Sequence, residues 1–199
     1  MKKMALAMFF LSTFTVYAAT NTSLGQEKTM TCAACHGPKG ISINPEWPSL
    51  AGQHAAYLAK QLHDYKLHVN REAATMTPMV ASLSPKDMEE IALFYASLPL
   101  PENTTPKKYL NRGEQLYRGG DFNKHITACI ACHGPKGTGN AEAGFPALSG
   151  KHATYTHQQL QLFKDNKRKN DLNAIMRDIS KRMDADDMEA VAQYVSGLH

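Results

Sequence analysis

The chain has 199 residues, 43 % of them apolar, which is enough for one large core or two small ones and excludes disorder as its default state. It carries 22 basic and 18 acidic residues; once a leader holding Lys2 and Lys3 is removed the balance is 20 to 18, too even for a nucleic-acid partner. Its four cysteines could form two disulfides in an oxidising compartment, so their spacing has to decide their use.

Residues 1–19, MKKMALAMFFLSTFTVYAA, set two lysines before an apolar run from Met4 to about Val16 and end in small residues. That order predicts a secretory signal peptide, cut after Ala18 or Ala19, and a mature protein in the periplasm. The run is shorter than the ~20 residues of a membrane span. A first lobe over 20–98 follows, with CAACHGPKG at 32–40 and a helix predicted by apolar periodicity over about 53–66. Ser84, Pro85 and Asp87 read as an N-cap, a first-turn proline and an acid at the third helical position, ahead of Met88, Ile91, Ala92 and Tyr95 at helical spacing.

Pro99, Pro101 and Pro106 predict an extended linker over 99–106. The second lobe, 107–199, opens with a helix predicted over about 106–118, repeats the cysteine phrase as CIACHGPKG at 129–137, and continues with a helix over about 151–166. Asp184 stands as a cap before Met188, Val191, Ala192 and Val195. Residues 47–54 align with 145–152; Tyr57, Gln61 and Leu62 with Tyr155, Gln159 and Leu160; Met76 with Met176; and Asp87, Met88 and Glu89 with Asp187, Met188 and Glu189. The chain is a tandem duplication, helical throughout, whose lobes of about 80–95 residues are small enough for a core-filling cofactor to help each one fold.

Two cysteines at i and i+3 face the same way, and the histidine that follows projects from the adjoining turn. C-x-x-C-H is the arrangement that attaches haem c. Cys32 and Cys35 would form thioethers to one haem with His36 as its iron ligand, and Cys129, Cys132 and His133 would do the same for a second. A shared structural zinc would have to join motifs more than 90 residues apart. A thioredoxin-like disulfide would need a βαβ pattern, which is missing. For the sixth iron ligand, Met76 and Met176 stand at equivalent places before the last helix of each lobe, and a thioether there raises the potential and closes the iron. Met79 is the competitor in the first lobe, but its counterpart is Ile179. Met30, Met88, Met183 and Met188 are assigned to packing, and His54, His63, His68, His125, His152 and His157 to the surface.

The two cysteine phrases, the segments WPSLAGQH and FPALSGKH, and the methionines before the paired Asp-Met helices resemble the dihaem cytochrome c4 family over nearly the whole chain from about Gly25. The resemblance implies an all-α fold of two tandem class I cytochrome c-like lobes, each wrapped around one covalently attached haem c. It implies a monomeric periplasmic carrier working between a respiratory donor complex and a terminal oxidase, without catalysis of its own. It also implies that the Pro48 and Pro146 carbonyls support the proximal histidines. Trp47 and Phe145 read equally as pocket walls or as plain core. The resemblance also implies that the protein can rest loosely on a membrane surface. The departure is a first lobe two residues shorter before its methionine. A dihaem enzyme of peroxidase or thiosulfate-oxidising type is the alternative, and would need one iron left open.

Residues 20–105 carry 6 basic and 8 acidic side chains, net −2, and residues 106–199 carry 14 and 10, net +4. Lys164, Lys167, Arg168 and Lys169 read either as a solvated face or as a patch that steers redox partners.

Overall fold

A computed structural model describes residues 23–199, so the signal peptide expected over 1–19 lies outside the described residues. A helical stretch over 23–28 leads into α1 (Met30–His36), followed by α2 (Ala55–Lys66), α3 (Met76–Val80) and α4 (Pro85–Ala96). After the linker come α5 (Lys107–Glu114), a π-helical turn (Gln115–Gly119), α6 (Ile130–His133), α7 (Ala153–Lys164), a 3-10 turn (Leu172–Ala174), α8 (Ile175–Lys181) and α9 (Ala185–Ser196). Among the described residues the β pairing amounts to two isolated bridges, Asp121 with Ile126 and Asn140 with Phe145. Helices α2 and α7 begin two residues later than their periodicity predicts, because His54 and His152 stand as extended N-caps.

Two separate apolar clusters form, one per repeat. The first gathers Leu58, Ile91, Ala92, Phe94 and Tyr95; the second gathers Leu116, Tyr117, Leu160, Met183, Met188, Val191, Tyr194 and Val195. Met88 and Met188 are fully enclosed at matching places, each contributing about 1.5–3 kcal/mol by burial. Met30 departs from its packing assignment. It opens α1 and is 79 % exposed.

In each lobe the N-terminal helix crosses the last helix at a glycine. A Cβ on Gly25 would lie 2.1 Å from the Glu90 carbonyl oxygen, and one on Gly113 would lie 2.4 Å from the Tyr194 Cβ, so only glycine lets the backbones meet. The capping boxes are in place: Ser84 with Asp87, and Asp184 with Asp187, each closing the first turn from both sides. Cations from the N-terminal part of each lobe then bind those caps. Lys28 pairs with Asp87 and Glu90, while Arg112 pairs with Asp187 at 2.5 Å and Lys124 with Asp184 and Asp187 at 2.6 and 2.7 Å.

Residues 99–106 form neither helix nor strand; Leu100 packs against Gly52 of the first lobe, and the segment beyond it docks on the second. Asn103 donates to the Gly150 carbonyl at 3.2 Å, and the Thr105 hydroxyl donates to the Tyr194 carbonyl at 3.2 Å.

Candidate functional site

The cysteine motif of each lobe closes a short helix. Helix α1 ends at His36 because Gly37 adopts a positive φ of 79°, a conformation that suits glycine, and its N–H still bonds the Ala33 carbonyl at 3.0 Å. Gly134 ends α6 after His133 in the same way, at φ 76°. None of the four cysteines is paired in a disulfide; Cys32 packs on the first core and Cys129 on the second, while Cys35 faces solvent. Burial pushes the Cys32 thiol up, and the Cys129 thiol up to about 11. Among the described residues no three His, Cys, Asp or Glu side chains converge on a metal position.

Both motif histidines are buried and held alike. His36 Nδ1 lies 2.8 Å from the Pro48 carbonyl oxygen, and His133 Nδ1 lies 2.9 Å from that of Pro146. Burial lowers the pKa of each ring, favouring the neutral imidazole, and because a carbonyl can only accept, the proton of that form sits on Nδ1 and the lone pair on Nε2. The carbonyls reach the rings because the chain folds back on itself after the motif. The Gly40 carbonyl accepts from the N–H groups of Leu50 and Ala51, as that of Gly137 does from Leu148 and Ser149. Phe145 lies beside the His133 ring, 6.3 Å between centroids, on the wall of the second cradle, and Trp47 is half-buried at the matching place. A pair of thiols one turn apart, followed by a neutral buried imidazole locked at Nδ1, fits haem c in both lobes.

Met76 opens α3 and Met176 lies in the first turn of α8, both half-buried, with Met176 packed against the second core beside Ile179. Met79 is 47 % exposed. The longer second-lobe loop reaches its methionine through two consecutive left-handed residues, Asn173 at φ 50° and Ala174 at φ 60°. Such strain persists only where neighbours hold it. Here Asp171 does so, accepting from the Arg177 backbone N–H at 3.0 Å and from its Nε at 2.7 Å.

Between the lobes lies a polar seam. Arg71 of the first lobe donates to the Tyr155 hydroxyl at 3.0 Å, and Arg168 of the second donates to that of Tyr57 at 2.8 Å. Arg71 also bonds Gln61, Arg168 also bonds Gln159 at 2.7 Å, and Asn170 donates to Gln61 and Asp64. Burial would raise the Tyr57 phenol, but the Arg168 and Arg71 guanidiniums hold it below its ordinary value. His152 Nε2 lies 2.7 Å from the Ser42 carbonyl of the first lobe. Gln53 spans the seam, accepting from the Ala147 N–H at 2.8 Å and donating to the Ala147 carbonyl at 2.9 Å.

Three assignments change with this seam. His152 is an interface residue, because its ring meets the Ser42 carbonyl of the other lobe, while His54 Nε2 is enclosed without a hydrogen-bond partner among the described residues. Arg168 is 6 % exposed and belongs to the network, so it leaves the basic patch to Lys167 and Lys169. Lys164 is also committed, donating to the Met183 carbonyl at 2.6 Å, as Lys66 donates to that of Leu83 at 2.5 Å. The repeat had matched Tyr57 and Gln61 with Tyr155 and Gln159, and that recurrence of polar residues was the available signal for the seam. Nothing local marked Gln53, Asp171 or Arg71.

The cytochrome c family model matches residues 23–99 and 110–199. The chain is 40 % identical over 184 residues to a cytochrome c4 of Pseudomonas aeruginosa, covering 92 % of this chain and 91 % of that one. The crystal structure of reduced recombinant cytochrome c4 from Pseudomonas stutzeri superposes with a TM-score of 0.87 at 40 % identity, covering 89 % of this chain and 98 % of that one. A thiosulfate dehydrogenase electron acceptor of Stutzerimonas stutzeri is 35 % identical over 173 residues, covering 85 % of this chain and 79 % of that one.

Proposed function

We propose, because this chain belongs to the cytochrome c4 family of dihaem electron-transfer cytochromes, that it shuttles single electrons in the periplasm between a respiratory donor complex and a terminal oxidase. Cys32, Cys35, His36 and Met76 would hold the first haem, and Cys129, Cys132, His133 and Met176 the second. Each haem supplies a one-electron iron couple. The protein contributes the rest: thiols that anchor, imidazoles fixed in one tautomer, and thioethers that close the sixth position against substrates. The observation that carries this reading is the matched pair of Nδ1 bonds to the Pro48 and Pro146 carbonyls, which orient both buried imidazoles with Nε2 free to ligate. The likeness to a thiosulfate dehydrogenase electron acceptor supports a sulfur-oxidising enzyme as one class of donor. Among the described residues no helix is long and apolar enough to cross a membrane.

The test is absorption and magnetic circular dichroism of the haem-loaded protein, oxidised and reduced, with and without carbon monoxide. Two low-spin haems with the methionine-sulfur charge-transfer band and no response to carbon monoxide are expected. A high-spin fraction that binds carbon monoxide would overturn the closed-carrier reading in favour of a dihaem enzyme.

A further inference from the structure

The Gln53 contact has an unusual target. The Ala147 N–H that it accepts from belongs to the same peptide group as the Pro146 carbonyl, and that carbonyl holds His133 Nδ1. The three groups form a chain: Gln53 Oε1 accepts from Ala147 N–H, and the far end of that peptide, the Pro146 oxygen, accepts from His133 Nδ1–H at 2.9 Å. An acceptor at the N–H end of a peptide pushes electron density onto its oxygen, and hydrogen bonds in series strengthen one another where water is excluded. Gln53 and Ala147 are 4 % and 2 % exposed, and the Gln53 amide is fixed by its second bond to the Ala147 carbonyl. A first-lobe side chain therefore acts on a second-lobe histidine.

The reverse direction lacks this device. Lys151 occupies the Gln53 position in the second repeat, with the same backbone turn: Gln53 N–H bonds the Leu50 carbonyl at 3.2 Å and Lys151 N–H bonds that of Leu148 at 3.3 Å. An ammonium has three donors and no acceptor, so Lys151 cannot polarise the Pro48–Ser49 peptide as Gln53 polarises Pro146–Ala147. The duplication made the two positions equivalent, and only the one in the first lobe now carries an acceptor.

We propose that Gln53 is a positioning residue for the second haem: acting across the lobe interface through the Pro146–Ala147 peptide, it strengthens the His133 Nδ1 bond and lowers the potential of the second-lobe iron relative to the first. The proposal rests on His133 being the proximal ligand. A tighter Nδ1 bond makes an imidazole a stronger donor and favours the oxidised iron. The relay runs one way, so it sets a difference between the two haems and biases where the electron rests.

The experiment uses the full haem-loaded protein with Gln53→Met, which keeps length and removes both bonds to Ala147 along with the one Oε1 accepts from the His54 N–H, and Gln53→Glu, which keeps the acceptor. Proton and nitrogen NMR of the reduced protein reads the Nδ1–H of His36 and His133 separately, and potentiometric titration reads the two haems. Gln53→Met is expected to weaken and expose the His133 Nδ1–H to faster exchange, leave His36 unchanged, and shift the electron partition toward the second haem by roughly two- to tenfold, the range spanned by one hydrogen bond. Gln53→Glu restores the His133 signal, with a second-haem potential no higher than that of the parent. Unchanged His133 and partition in Gln53→Met would overturn the relay, as would equal movement of both histidines, which is the mark of lobes merely loosening. A parent protein whose His133 lacks the haem ring-current shift would overturn the ligand assignment itself, a failure visible before any variant is made.

Discussion

Replacing Lys151 with glutamine should stabilise the protein, by an amount that depends on pH. Lys151 is 5 % exposed, its ammonium has no hydrogen-bond partner among the described residues, and burial pulls its pKa from 10.5 down to about 8. At about 1.4 kcal/mol per pH unit, holding the proton at pH 7 costs the folded chain about 3 kcal/mol relative to the unfolded one. The sign follows from linkage: between about 8 and 10.5 the unfolded chain binds more protons than the folded one, so native stability rises with pH across that window. Lys151→Gln carries no such penalty and puts at this position the residue that the first repeat has at its equivalent, Gln53. Guanidinium unfolding followed by far-ultraviolet circular dichroism should find the variant more stable by about 2–3 kcal/mol at pH 7, a Tm rise of roughly 5–10 °C. At pH 10 the gap should fall below about 1 kcal/mol. A gap that is the same at both pH values, or a variant less stable at pH 7, would refute the claim that an uncompensated buried charge sits there.

Asp171→Ala removes the clamp on Arg177 that holds the left-handed pair before Met176; it should cost about 1–3 kcal/mol in local stability and weaken the methionine-sulfur band of the second haem alone, as read by magnetic circular dichroism. Gly113→Ala forces a Cβ to within 2.4 Å of the Tyr194 Cβ and should destabilise the second lobe by about 1–3 kcal/mol or more in thermal unfolding. Lys124 holds the Asp184 carboxyl below its usual range, and Arg112 does the same for Asp121, so the stability these pairs give is present above about pH 4 and is lost as pH falls below it. Lys124→Ala should therefore flatten the acid limb of a stability–pH curve, and an unchanged limb would show that the pair is screened out by solvent.

Some of this protein follows from short-range pattern alone. Cysteines three apart and a histidine next to the second need one helical turn to converge, and glycine after the histidine provides the stop; both are properties of neighbours in the chain. Ser84 with Asp87, and Asp184 with Asp187, are likewise local, since a capping box closes on itself within four residues. The duplication made the two cradles legible because each copy checks the other. What the chain could not reveal is how the copies face one another. Charge, polarity and helical position are the same for a histidine in water and for His152 against the Ser42 carbonyl, and the same for a surface arginine and for Arg168 under Tyr57. Sequence separation hides those pairs: Gln53 and Ala147 are 94 residues apart, and only the docking of one lobe on the other brings that amide to the peptide behind His133. Burial decides what these side chains do, and burial at a seam is a property of two surfaces that no single stretch of residues contains.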